Sequence, residues 1–304
     1  MGDRVRLGAL VLPEHPGRNG IEVWRKVEEL GFDHAWTLDH LSWRIPPDRP
    51  WFDALTTLTA AAAVTSHIGL GTLVVSPNFR HPVLTARQAM TLDHLSGGRF
   101  VLGLGAGAAG RDSTALGGPD LTPAERAARF EEFVSLVDRL LRGPTTTFTG
   151  RYFSARDVMM VPGSLQSPRL PLAVAATGPR GMRLAAGFAQ MWITIGDAGS
   201  PGEQSEAEAI DTLRRQLSRL TSACEQVGRS PKELRKLVNL SRVVKDPYGS
   251  PGRLRDLVER CAGLGFTDVV VACPRRDGVF AGDMSLFEES VARLRCDPVR
   301  ERND

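Results

Sequence analysis

Short apolar runs alternate along the chain with longer segments of mixed polarity. The runs are Val5–Val11, His34–Leu38, Ile68–Val75, Phe100–Leu104, Leu172–Ala176, Trp192–Ile195, Leu237–Val244 and Val269–Cys273. They are nearly continuous rather than alternating, the pattern of parallel strands covered on both faces. The segments between them carry helical period. Ala127, Phe130, Val134, Val137 and Leu141 recur at steps of three and four, as do Ile210, Leu213, Leu217, Leu220, Cys224 and Val227. Each set places one apolar stripe on one helix face. Thr122 before Pro123 reads as a helix start, and Gly143 and Gly228 read as helix stops. Leu30-Gly31-Phe32-Asp33 and Leu264-Gly265-Phe266-Thr267 repeat one solution, in which a helix ends on Leu, Gly turns the chain and Phe enters the next strand.

Eight strands alternating with helices predict an α/β fold, a (β/α)8 TIM barrel spanning residues 1–304 as a single domain, with a doubly wound sheet as the alternative. The stretch from Arg142 to Arg169 breaks the rhythm with Gly143-Pro144, three threonines and Gly150-Arg151-Tyr152-Phe153. It reads as an insertion between helix 4 and strand 5 that holds a short hairpin.

Composition changes this picture in one respect. Glycine is 31 of 304 residues and proline 20, both above their ordinary share, with no collagen period or low-complexity tract. The surplus must therefore sit at turns and element ends. The net charge of +3 is too balanced for a nucleic-acid footprint. The apolar stretch after Arg4 and Arg6 is too short for a signal peptide, and no window is long enough to cross a membrane. Four scattered cysteines, Cys224, Cys261, Cys273 and Cys296, read as reduced thiols in a cytoplasmic protein.

In a barrel the chemistry sits at the C-terminal ends of the strands. After the second strand come Asp39 and His40, with Trp43 close by; such a pair can transfer a proton or hold a polar ring, or it can be a helix cap with a loop histidine. After the third, Pro77 and Pro82 bracket a rigid loop, and His81 reads as structural. The fourth ends in Gly103-Leu104-Gly105-Ala106-Gly107-Ala108-Ala109-Gly110, bare backbone that lets a flat or phosphorylated ligand approach closely. It has no following Lys-Ser/Thr, so it is not a phosphate-binding P-loop. The fifth ends in Ala176-Thr177-Gly178-Pro179-Arg180, a helix start that offers unpaired N–H groups to an anion. Arg242, in the seventh predicted strand, is assigned to the substrate pocket together with Trp43. No metal-ligand spacing and no nucleophile elbow occurs. The remaining set suits a flat cofactor with an anionic tail.

These positions carry a family likeness. His81-Pro82 through Leu92-Asp93-His94-Leu95-Ser96-Gly97-Gly98-Arg99, followed by Leu102 to Gly107, resembles the bacterial luciferase-like superfamily of flavin and deazaflavin (coenzyme F420) oxidoreductases. Pro171 to Ala176 with Gly178-Pro179, and Gly150-Arg151-Tyr152-Phe153, match as well. The resemblance implies a homodimeric barrel acting on a small-molecule substrate. Asp39-His40 is similar to the deazaflavin branch, where this pair lies beside the ring. The resemblance further implies a non-prolyl cis peptide at Val74-Val75 or Val75-Ser76 backing the ring. Gly105, Ala106, Gly107 and Ala108 would line it, and Ala176, Thr177, Gly178 and Arg180 would hold the phosphate of the tail. Two positions depart. Ala108 stands where the sugar-phosphate dehydrogenases of this branch have an acid, and Gln190-Met191-Trp192 replaces their Asp-Gly-Trp.

The expected activity is hydride transfer between C5 of coenzyme F420 and a small organic substrate. His40 would move the proton, and Asp39 would hold the ring or orient His40. An FMN-dependent monooxygenase using reduced flavin and oxygen is the alternative, and a non-catalytic cofactor-binding homologue is the third reading.

Overall fold

The computed structural model describes residues 4–41, 50–197, 199, 204–250 and 252–299. Trp43 lies outside the described residues. The strands are β1 (Arg6–Leu10), β2 (His34–Thr37), β3 (Gly69–Thr72), β4 (Phe100–Leu104), β5 (Thr145–Thr149), β6 (Ser154–Met159), β7 (Leu172–Ala175), β8 (Met191–Thr194), β9 (Arg235–Asn239) and β10 (Asp268–Ala272). The helices are α1 (Gly17–Glu29), α2 (Ala54–Val64), α3 (Pro82–Leu95), α4 (Arg111–Thr114), α5 (Pro123–Arg142), α6 (Pro179–Phe188), α7 (Glu206–Gln226), α8 (Leu240–Val243), α9 (Arg253–Leu264) and α10 (Met284–Cys296).

Eight strands close into a parallel barrel in the order β1-β10-β9-β8-β7-β4-β3-β2. This is the predicted (β/α)8 architecture. The remaining two strands, β5 and β6, form an antiparallel hairpin inside the predicted insertion. Apolar side chains leave the barrel strands in both directions, which is why the runs read as continuous. Leu10, Trp36, Leu73, Ala173, Met191, Ile193, Leu237, Val270 and Ala272 fill the barrel interior. The alternate positions pack outward against the helices, where Phe130, Val134, Val137, Leu213 and Leu220 supply the predicted stripes.

Local signals act as the sequence suggests. Thr122 caps α5 and forms a capping box with Glu125. Gly31 and Gly265 both take positive φ, +82° and +94°, a backbone state that costs other residues. The phenylalanines that follow them, Phe32 and Phe266, are buried. Two boundaries need correction. The third run stops as a strand at Thr72, and its non-prolyl cis bond is Leu73–Val74, one residue before the nearer expected position. The seventh run is a strand only to Asn239; Leu240–Val243 turns into a helix whose Leu240 and Val243 are buried. A purely apolar run does not distinguish a strand from a buried helical turn. Arg242 therefore lies on a helical turn above the barrel.

Candidate active site

The barrel strands all run the same way, so the segments that follow them meet at one end. There they enclose a cavity of about 550 Å³. Asp39, His40, Val74, Ser76, Gly105, Ala106, Gly107, Ala108, Ala176, Thr177 and Arg242 all line it. These are most of the residues chosen from sequence. Such a volume lies within the usual range for a small-molecule site.

The Asp-His pair divides into two separate arrangements. Asp39 is 3% exposed and faces Arg80, which donates to it through Nε (3.0 Å) and Nη2 (2.5 Å). Arg80 also pairs with Asp53, the residue that caps α2. Burial pushes the Asp39 carboxyl above its ordinary range, against the pull of the guanidinium. Asp39 is thus committed to a buried fork, and the expectation that it orients His40 is corrected. The carboxylate hydrogen-bonded to the His40 ring is Asp112, from α4, with Nδ1 to Oδ2 at 2.7 Å. A carboxylate accepts, so the ring proton sits on Nδ1 and a neutral ring keeps Nε2 as an acceptor. Trp51 donates its indole N–H to the His40 carbonyl at 2.8 Å and anchors the backbone.

The adjoining lining, after β3 and β4, is nearly bare. Val75, just past the cis bond, bridges to β4, accepting from Gly105 N at 2.9 Å and donating to Gly103 O at 2.8 Å. A Cβ on Gly105 would approach Val74 to 2.5 Å, so only glycine permits this contact. The Val75 side chain is buried in the outer core rather than facing the cavity, which corrects its placement. Asn78 ties the two loops together: Nδ2 donates to Ala108 O at 2.9 Å, and Oδ1 accepts from Arg129 at 2.6 Å.

After β7, Thr177 lines both the main cavity and an adjoining groove of about 390 Å³, which Arg215 and Arg219 also line. Gly178 is the N-cap of α6. Arg180 is corrected too: it turns outward to Glu131 in a paired contact (2.9 and 2.8 Å) and does not line the cavity.

Four residues at the site were missed in sequence. Arg80 and Asn78 belong to the loop recognised only as rigid, and Asp112 stands two residues past the glycine run. Nothing local links positions 72 residues apart such as His40 and Asp112. Asn239 was visible as a polar residue inside the apolar run Leu237–Val244, with Ser241 and Arg242, and it too lines the cavity.

Comparisons with known proteins agree with this architecture. The model of the luciferase-like monooxygenase family matches residues 5–249. A 4-hydroxyprotoasukamycin monooxygenase from Streptomyces nodosus subsp. asukaensis is 33% identical over 241 residues, 75% of this chain and 61% of that protein. An F420-dependent glucose-6-phosphate dehydrogenase from Beutenbergia cavernae is 39% identical over 165 residues, 52% of this chain and 46% of that protein. The chain thus spans less than two thirds of the length of either relative. The structure of a coenzyme F420-dependent tetrahydromethanopterin reductase from Methanopyrus kandleri superposes with a TM-score of 0.73 at 19% identity, covering 96% of this chain and 97% of that one. With the barrel, the insertion and the family match over 5–249 in agreement, the chain belongs to the luciferase-like monooxygenase family.

Proposed function

We propose that the protein, acting as one barrel domain over residues 1–304, is a coenzyme F420-dependent oxidoreductase that transfers a hydride to or from a small organic substrate. The observation that carries this reading is the His40–Asp112 pair bordering the same cavity as the bare backbone of Gly105 to Ala108. The residues fit the cofactor. Val74 and Gly105 to Ala108 offer a flat, side-chain-poor surface to a planar ring, and Ala176 and Thr177 lead into the groove of Arg215 and Arg219, suited to a polyanionic tail. Bound there, deazaflavin would supply hydride chemistry at its C5.

The chain supplies the proton and the geometry. With Asp112 holding Nδ1–H, His40 Nε2 accepts the proton of a substrate hydroxyl as the carbon is oxidised, and returns it in the reverse direction. Asp112 orients the ring and offsets the charge that forms on it. This supplies a proton-transfer partner despite Ala108. Asp39 and Arg80 hold the His40 segment in place.

The match to a monooxygenase over the longer stretch favours a second reading, an FMN-dependent monooxygenase. The test is a panel of alcohols, ketones and sugar phosphates offered with oxidised or reduced F420, following the cofactor absorbance. Turnover with at least one class is the expected result; activity only with reduced FMN and oxygen would favour the alternative.

We further propose a homodimer. Leu84 and Leu95 lie three turns apart on one face of α3, 64% and 56% exposed. Met159, Val161 and Leu165 are exposed on the adjoining insertion, which Arg87 and Asp93 of α3 hold in place. Such an apolar patch suits a subunit interface. Sedimentation should give a dimer, and Leu84→Glu should shift it toward monomer. Four unpaired thiols support a cytoplasmic location.

A further inference from the structure

Asn239 closes β9 at the floor of the cavity. Leu237, two residues earlier, belongs to the barrel interior, and the two-residue period of a strand puts the Asn239 carboxamide on that same face. The residue is 2% exposed, and its Oδ1 has no hydrogen-bond partner among the described residues. It stands as the N-cap of α8, yet its side chain makes no capping bond. A buried amide oxygen left unpaired is costly, so its retention calls for a partner that arrives from outside. The cavity is lined besides by the apolar Leu10, Leu73, Ala175 and Ile193 and by Arg242, three residues further on.

The barrel order gives this amide a direction. Between β9 and β3 lie three strands on either side, so Asn239 is diametrically opposite Val74, which follows β3. If the Val74 wall takes the cofactor, as proposed above, the Asn239 side is left for the second reactant. An orphaned acceptor requires a donor, and the donor of the reacting hydroxyl is already directed at His40. We propose that Asn239 is a substrate-binding residue that selects a second hydroxyl, distinct from the reacting oxygen, on a compact substrate. Oδ1 accepts from that hydroxyl, and Nδ2 can donate back to its oxygen.

The test uses cyclohexane-1,4-diol and cyclohexanol as probes, with affinities measured by calorimetry on the purified protein with and without F420. The diol should bind about tenfold tighter than cyclohexanol. Asn239→Leu and Asn239→Ala should abolish the preference while leaving F420 affinity unchanged and the melting temperature at or above that of the parent. No preference for the diol, including no binding of either alcohol, overturns the proposal. So does a clear loss of melting temperature in both variants, which would mark a structural amide. A diol preference without F420 binding would keep this inference and sink the cofactor reading; F420 binding without the preference would do the reverse.

Discussion

Among the described residues the barrel holds two histidine–aspartate pairs, one at each end, and their surroundings differ. At the N-terminal end, His34 is 6% exposed and meets Asp268 through Nε2 at 2.9 Å. Trp36 donates its indole N–H to His34 Nδ1 at 2.7 Å, which fixes that nitrogen as acceptor and leaves the proton on Nε2 for Asp268. Asp268 also accepts from Arg235 and from Thr267. Both ring nitrogens and both carboxylate oxygens are engaged by protein. At the C-terminal end the proton sits on the other nitrogen: Asp112 holds His40 Nδ1, and the pair borders a cavity. The same two side chains make a clamp where partners saturate them, and border a ligand-sized chamber at the other end, where the proposed role is proton transfer.

The largest effect expected from breaking this contrast is at the closed end. Asp268→Ala strips a fully buried acceptor from His34 and Arg235 and should cost about 3–5 kcal/mol in stability by urea unfolding. A loss under about 1 kcal/mol would mean the clamp is not one. Next is Asp112→Asn, which would present an N–H or a neutral oxygen to His40 and disturb its tautomer. Turnover should fall by about 10²-fold or more, with melting nearly unchanged. Equal turnover would remove His40–Asp112 from the mechanism.

A smaller effect extends the comparison to the outer rim of the closed end. Glu28 accepts from the N–H groups of Ser66, His67 and Ile68, before β3. Burial pushes its carboxyl up, but these N–H donors outweigh it and hold the folded pKa below the ordinary 4.5. Its contribution is therefore full above 4.5 and is lost as pH falls through the folded value. Glu28→Gln should reduce stability at neutral pH and flatten this part of the acid limb in unfolding curves. An acid limb identical to the parent's would show that Glu28 does not contribute.

Legibility from sequence follows the same division. The barrel was readable because its strands are buried on both faces and its helices carry stripes, both local patterns. Gly31 and Gly265 could be read because positive φ leaves a residue signature. The cavity was readable as a set of strand ends. The partners were not: Asp39 with Arg80, and His40 with Asp112, join side chains 41 and 72 positions apart, and no local spacing encodes the choice between two carboxylates. Arg180 illustrates the converse. A basic residue beside a helix start suggests an anion, yet Glu131 on the neighbouring helix takes it instead. The end of β9 was misjudged because buried turns and buried strands share one composition.

The central claim is that the open end is built around a deazaflavin. Titration of the purified protein with coenzyme F420 and, separately, with FMN, followed by fluorescence, tests it most directly. Saturable F420 binding, weakened by Arg215→Ala with Arg219→Ala and clearly tighter than FMN binding, is the predicted result; tight FMN binding with no response to F420 would contradict it.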